Sequence, residues 1–153
     1  VGYGGLIVNV IFSPLTPEYV GWVKENLDPI FCDDTRGILA LDEDTGKVLA
    51  VCVMDQWTVN SCQTHIAIKN PWAIRHGFMH EVASYIFEVS KRKKIFGLTP
   101  SNNKKAIKFN KHIGFREIGR LPEAYDDGVD YIVYQMDKED CKFLPQTLEQ
   151  EAA

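Results

Sequence analysis

Four lysines, Lys104, Lys105, Lys108 and Lys111, fall within a run from Asn102 to Phe115 whose apolar positions recur at helical spacing. Lys91-Arg92-Lys93-Lys94 adds a second basic cluster shortly before it, although the chain as a whole carries a net charge of −4. Positive charge concentrated in one half of an acidic chain suits a local anionic ligand, whereas a nucleic-acid duplex calls for a broader basic surface. A second anion-binding element is Arg75-His76-Gly77-Phe78. If a helix begins there, its first-turn amides face a phosphate beside a guanidinium able to make bidentate contact.

The elements that must hold these residues follow from periodicity and turn chemistry. In the 102–115 run, Ala106, Phe109 and Ile113 form one stripe, Ser101 or Asn102 is placed to cap the first turn, and Gly114 to end the helix in left-handed geometry. Upstream, Phe78, Val82, Tyr85, Ile86 and Val89 predict one long helix over 78–90, with the basic residues at 91–94 complementing its C-terminus. Residues 6–12 read as a first strand. Thr16-Pro17-Glu18 opens a helix running to about Leu27. Strands at 37–41 and 47–54 flank Asp42-Glu43-Asp44-Thr45-Gly46 as a hairpin, and 62–68 returns as a third strand. A short buried strand at 95–99 precedes the lysine-rich helix, and strands at 115–121 and 129–136 enclose the turn Asp126-Asp127-Gly128. The order predicts an α/β fold, a mixed twisted sheet with helices on both faces, in which 62–68, 78–90 and 95–99 make a right-handed βαβ unit.

A length of 153 residues suffices for one hydrophobic core burying roughly two thirds of the unfolded surface. Cys32, Cys52, Cys62 and Cys141 show neither a C-x-x-C pair nor zinc-type spacing, so they are expected as reduced thiols and no metal is expected. No apolar run reaches membrane-spanning length, and no basic region precedes the apolar N-terminal stretch. The expectation is a soluble, cytoplasmic protein without membrane contact.

Asn103, Ala106, Phe109, Gly114 and Phe115 match, in order and spacing, the pattern Asn-x-x-Ala-x-x-aromatic-Tyr-x-x-x-Gly-Phe. In this the chain resembles the GNAT superfamily of acetyl-CoA-dependent N-acetyltransferases, and the predicted element order extends the resemblance over about residues 6–137. The resemblance implies a single GNAT-like (acyl-CoA N-acyltransferase) domain over 1–140, with a peripheral tail at 141–153. It also implies a V-shaped opening between the strands at 62–68 and 95–99 that admits coenzyme A. The implied cofactor contacts are Ile66 and Ile68 on the parted strand, Arg75, His76, Gly77, Phe78 and Met79 at the helix start, and Asn103 and Phe109 beyond it. Two positions depart from the family pattern. Met79 stands where the pyrophosphate loop usually has a small residue, and Asn110 stands where the frequent general-acid tyrosine falls. A neutral amide does not protonate a thiolate as a phenol does.

The reaction this resemblance implies is transfer of an acetyl group from acetyl-CoA to an amine by direct attack through a tetrahedral intermediate. His65, a titratable side chain on the expected central strand, is the candidate base, and Tyr125, beside the acidic turn, is the candidate acid ahead of Tyr131 and Tyr134. Asp55 and Gln56, or Asp126, Asp127 and Asp130, are candidates to line the acceptor pocket. The expected acceptor is a small-molecule or peptide amine, and the expected state a monomer or homodimer. Two alternatives stand beside the enzyme: a catalytically silent GNAT-like structural or interaction protein, favoured by Asn110 and by the departure of the loop at Met79, and a nucleic-acid or nucleobase-directed acyltransferase.

Overall fold

The computed structural model describes residues 8–27 and 31–144. These form two compact units, one of residues up to Asp55 together with Thr64–Val82, the other of Gln56–Gln63 together with residues from Ala83 onward.

In the first unit, β1 (Val10–Pro14), β2 (Arg36–Asp42) and β3 (Val48–Asp55) form an antiparallel meander, with Phe12 opposite Ala40 and Leu39 opposite Val51. The hairpin turn follows its predicted chemistry: Gly46 takes positive φ and its amide donates to the Asp42 carbonyl. All eight residues of β3 are buried, which requires cover on both faces. On one face helix α1 (Pro17–Asn26) sends Val23 into a cluster with Leu39, Leu41, Val51 and Val53. On the other, Phe78 is fully buried with its ring centroid 6.3 Å from that of Phe12.

The first strand differs from its expected span of 6–12. The start of that span lies outside the described residues, and the strand runs on through Ser13 and Pro14 because its extent is set by the ladder to β2. A proline is admissible there because, among the described residues, β1 has a neighbour on one side only.

In the second unit the first residues of β4 (Ser61–Ile68) pair in parallel with β5 (Lys94–Pro100), Ser61 to Lys94, Cys62 to Ile95 and Gln63 to Phe96. β5 pairs antiparallel with β7 (Val129–Asp137), and β7 with β6 (Arg116–Asp126). Since β4 belongs to both units, the strand order reads β1-β2-β3-β4-β5-β7-β6. Between β5 and β6 lies α4 (Lys104–Ile113), ended by Gly114 at φ 99° as its sequence predicts. Its cap is Asn103, whose side chain accepts from the Ala106 amide at 3.1 Å, and not Ser101 or Asn102. The sequence pattern places the cap a residue or two early because any of the three has the required chemistry.

The single long helix expected over 78–90 is present over 78–89 but changes its winding partway, and a short helix that the sequence does not predict precedes it. Trp72–Arg75 forms a separate turn, α2, and α3 (Phe78–Ala83) continues into a π-helical segment, Ser84–Val89, whose wider turns end with the Ser90 amide donating to the Tyr85 carbonyl. The buried residues are therefore Phe78, Val82 and Ile86 in one row and Met79, Ala83 and Phe87 in the next, spaced by four. Val89, placed on the buried stripe by a 3.6-residue period, is 71% exposed.

Most of the expected tail at 141–153 lies outside the described residues. Cys141 itself is buried, which pushes its thiol pKa up. Among the described residues, no helix is long and apolar enough to cross a membrane.

Candidate functional site

In β3 the inward positions Val51 and Val53 belong to the apolar cluster under α1, and two residues further on the same alternation carries Asp55. Asp55 is 6% exposed, and its Oδ2 lies 2.9 Å from Nε2 of His65 on the neighbouring β4. A carboxylate only accepts, so the bonded ring nitrogen carries the hydrogen, and in the neutral ring Nδ1 keeps its lone pair. Asp55 Oδ1 has no hydrogen-bond partner among the described residues, while the His65 side chain retains about a quarter of its exposure (24%). The arrangement can take up a proton at Nδ1 with an anionic neighbour at Nε2. Sequence reasoning puts His65 on the correct strand and Asp55 in an acceptor pocket; the structure joins the two.

The helix-start segment follows β4. Asn70, buried, accepts the Trp72 amide on its side-chain oxygen and so starts α2. The amides of Arg75, His76 and Gly77 donate to Pro71, Trp72 and Ile74, so these three, expected to face an anion, are spent within their own turn. Gly77 has φ 92°, a conformation that disfavours any side chain, and a Cβ added there would meet nothing within 4 Å. Its surface is open at the point where α3 begins with the amides of Phe78 and Met79, which have no acceptor within the helix. The Phe78 and Met79 side chains are buried, so they offer a ligand backbone alone, and Met79 does not obstruct the loop. Arg75 is exposed, with its guanidinium carbon 5.4 Å from the Trp72 ring centroid. His76 Nδ1 lies 2.8 Å from the Trp72 carbonyl oxygen, and because a carbonyl only accepts, Nδ1 is the donor. Ile66 and Ile68 are half-buried on β4.

In the second unit, Asn103 is a helix cap and Phe109 is half-buried on α4. The Asn110 side-chain amide donates to the Thr99 hydroxyl at 2.9 Å. Tyr125 is 49% exposed and packs edge-on against Tyr131, with centroids 5.4 Å apart. The acidic turn is internally bonded: Asp130 accepts the Glu123 amide, Glu123 the Gly128 amide, and Asp126 the Asp127 amide. Sequence reasoning gives Tyr134 no priority, yet its phenol is buried with no partner for its oxygen among the described residues. Burial foremost, then the nearby Glu117 charge, raises its pKa, against a smaller lowering by Arg120.

A raised folded-state pKa means that the unfolded chain ionises first as pH rises. The stability gained by keeping the phenol neutral is complete below the ordinary tyrosine pKa of about 10 and is lost above it. Tyr134→Phe is therefore expected to leave neutral-pH stability unchanged or higher, since it removes an unsatisfied buried hydroxyl. The variant should also lose less stability than the parent between pH of about 9 and 11. Urea unfolding of both proteins across that range measures the difference.

No protein-family model matches the sequence, and no curated protein sequence matches it. Solved structures do resemble it. A spermidine N-acetyltransferase from Vibrio cholerae in complex with CoA and spermine is 13% identical with a TM-score of 0.69, over 86% of this chain and 96% of that one. A spermidine/spermine N-acetyltransferase from Vibrio cholerae in complex with manganese ions gives a TM-score of 0.70 at 13% identity, over 85% and 93% of the two chains. The mixed sheet flanked by helices is thus the GNAT-like acyl-CoA N-acyltransferase fold. The expectation of a monomer or homodimer does not stand. A dodecameric structure of the Vibrio cholerae enzyme, 14% identical with a TM-score of 0.68 over 85% and 94% of the chains, shows this fold in a larger assembly. A local sequence pattern does not encode an assembly state, because assembly depends on surface complementarity.

Proposed function

We propose that this protein is an acetyl-CoA-dependent N-acetyltransferase of the GNAT superfamily, acting in the cytoplasm on a small-molecule amine, with His65 as the general base. The observation that carries the reading is the Asp55-bonded imidazole on β4, which leaves Nδ1 as a proton acceptor within a fold shared with solved N-acetyltransferases.

The residues present fit coenzyme A on one structural ground: Gly77 leaves open space at the start of α3, where a Cβ would otherwise project. Phosphate groups would be held there by the Phe78 and Met79 amides, with Arg75 as the charged donor. Ile66 and Ile68 would supply strand backbone for the pantetheine arm. Acetyl-CoA supplies the activated acyl carbon and a thiolate leaving group.

His65 takes the proton that the acceptor nitrogen must lose to form its new bond to carbon. For an amine with a lysine-like pKa of about 10.4, reaching the neutral form near pH 7.4 costs about 4 kcal/mol, which defines the work asked of the base. Asn110, bonded to Thr99, supplies no proton to the leaving group. Tyr125, the acid candidate from sequence, remains part of this proposal as the exposed phenol of the acidic hairpin.

Calorimetry with intact coenzyme A and with a form lacking its phosphates tests the cofactor reading. The intact molecule should bind more tightly, and Arg75→Ala should weaken it about five- to tenfold, the scale of one solvent-screened charge-assisted hydrogen bond. Equal binding of both forms rejects the phosphate site; no binding of either rejects the cofactor. The silent-protein reading has one observation in its favour, Asn110 in place of a phenol, and gains if coenzyme A binds while a panel of polyamines, amino sugars and peptides yields no acetylated product by mass spectrometry.

A further inference from the structure

We propose that Asp55 is a positioning residue for His65, fixing the imidazole in the tautomer protonated at Nε2 so that Nδ1 alone is the acceptor, and holding the imidazolium once the proton arrives. The catalytic part of this inference rests on the acetyl-transfer reading; the tautomer part stands without it.

Three observations carry it. The 2.9 Å contact between Asp55 Oδ2 and His65 Nε2 identifies which ring nitrogen bears the hydrogen. The Asp55 side chain keeps only 9% of its exposure, in continuation of an otherwise apolar face, where an aliphatic residue would pack without the cost of desolvating a charge. Its second oxygen, Oδ1, is buried with no hydrogen-bond partner among the described residues, so none of these supplies a second donor to draw the charge away from the imidazole. A carboxylate held only for structure would be expected to saturate both oxygens with backbone or side-chain donors. Here the one partner is a titratable ring that itself remains partly open to solvent.

The proton balance is closed. The acceptor nitrogen gives its proton to Nδ1 and its electron pair to the acyl carbon, the carbon–sulfur bond breaks with its pair leaving on sulfur, and the imidazolium beside Asp55 later returns its proton to solvent. No oxidant or covalent bond to the protein is required.

The test is nuclear magnetic resonance of protein labelled with 15N histidine, with the His65 signals assigned by their loss in His65→Gln. In the parent protein at neutral pH, the ring hydrogen should couple to Nε2 and exchange slowly with water. In Asp55→Leu, which has no acceptor, that slowly exchanging signal should vanish. Asp55→Glu, which keeps the carboxylate, should recover at least part of it. A ring hydrogen on Nδ1 in the parent, or an unchanged signal in Asp55→Leu, overturns the proposal, and the parent measurement decides even if a variant fails to fold. With an acceptor in hand, Asp55→Asn should lower kcat by about 100-fold, the lower end of general-base contributions, with KM for acetyl-CoA little changed. Unaltered kcat overturns the positioning role while acetyl transfer stands. An Nε2 signal that depends on Asp55, in a protein that acetylates nothing, upholds the pairing and defeats the functional reading.

Discussion

Replacing His65 by alanine is expected to lower kcat/KM for acetyl transfer by about 10²- to 10⁴-fold, the range that a positioned general base contributes. The loss should appear mainly in kcat, because the side chain's proposed part is to accept a proton as the new bond forms. Coenzyme A affinity should remain within about twofold, since the proposed phosphate contacts are the Phe78 and Met79 amides and Arg75. Added imidazole should restore part of the rate in His65→Ala, whereas a variant that lost activity by misfolding would gain nothing from it. An unchanged rate removes His65 from the mechanism. A rate lost together with coenzyme A affinity points to a structural lesion in its place.

The second large effect is on stability. Phe78→Ala is expected to cost about 3–5 kcal/mol of unfolding free energy, the usual range for truncating a fully buried phenylalanine. Phe78 has no exposed surface and packs its ring near Phe12, so the substitution leaves a cavity between β1 and the start of α3. Domains are stable by only about 5–15 kcal/mol, so the change consumes a large share of the total. It has a functional consequence as well, because the buried ring anchors the residue immediately after Gly77. With that anchor gone, the Phe78 and Met79 amides lose their fixed direction, and coenzyme A affinity should fall further than in Arg75→Ala, which removes one exposed donor. Urea unfolding and calorimetry on the same preparations check both claims. A loss below about 1 kcal/mol would mean that the Phe12–Phe78 packing is not part of the stabilising core.

The order of the strands and helices was legible from the chain alone, apart from the short helix α2 and the π-helical winding of Ser84–Val89. The β2–β3 hairpin, the α4 segment with its terminal glycine, and the β6–β7 turn were each predicted near their observed positions. Their signals are local: turn residues with the required φ, capping chemistry and apolar spacing act over a few positions. The same locality explains why the strand expected at 6–12 stops short of Ser13 and Pro14, since β1 takes its span from β2.

The pairing of Asp55 with His65 is of another kind. The two are ten residues apart and meet only because β3 and β4 lie side by side in one register; a slip of one residue would turn either side chain to the opposite face. The Asn110–Thr99 bond, the enclosure of the Tyr134 phenol and the use of the Arg75, His76 and Gly77 amides inside their own turn were equally absent from residue types. Residue chemistry by itself determined which groups could act as base, acid or anion donor, because that is a property of each side chain and its nearest neighbours in sequence. Tertiary structure alone decided which of those groups are already bonded and which keep a lone pair or an open face, because hydrogen-bond partners and burial arise from contacts between segments that the chain brings together only on folding.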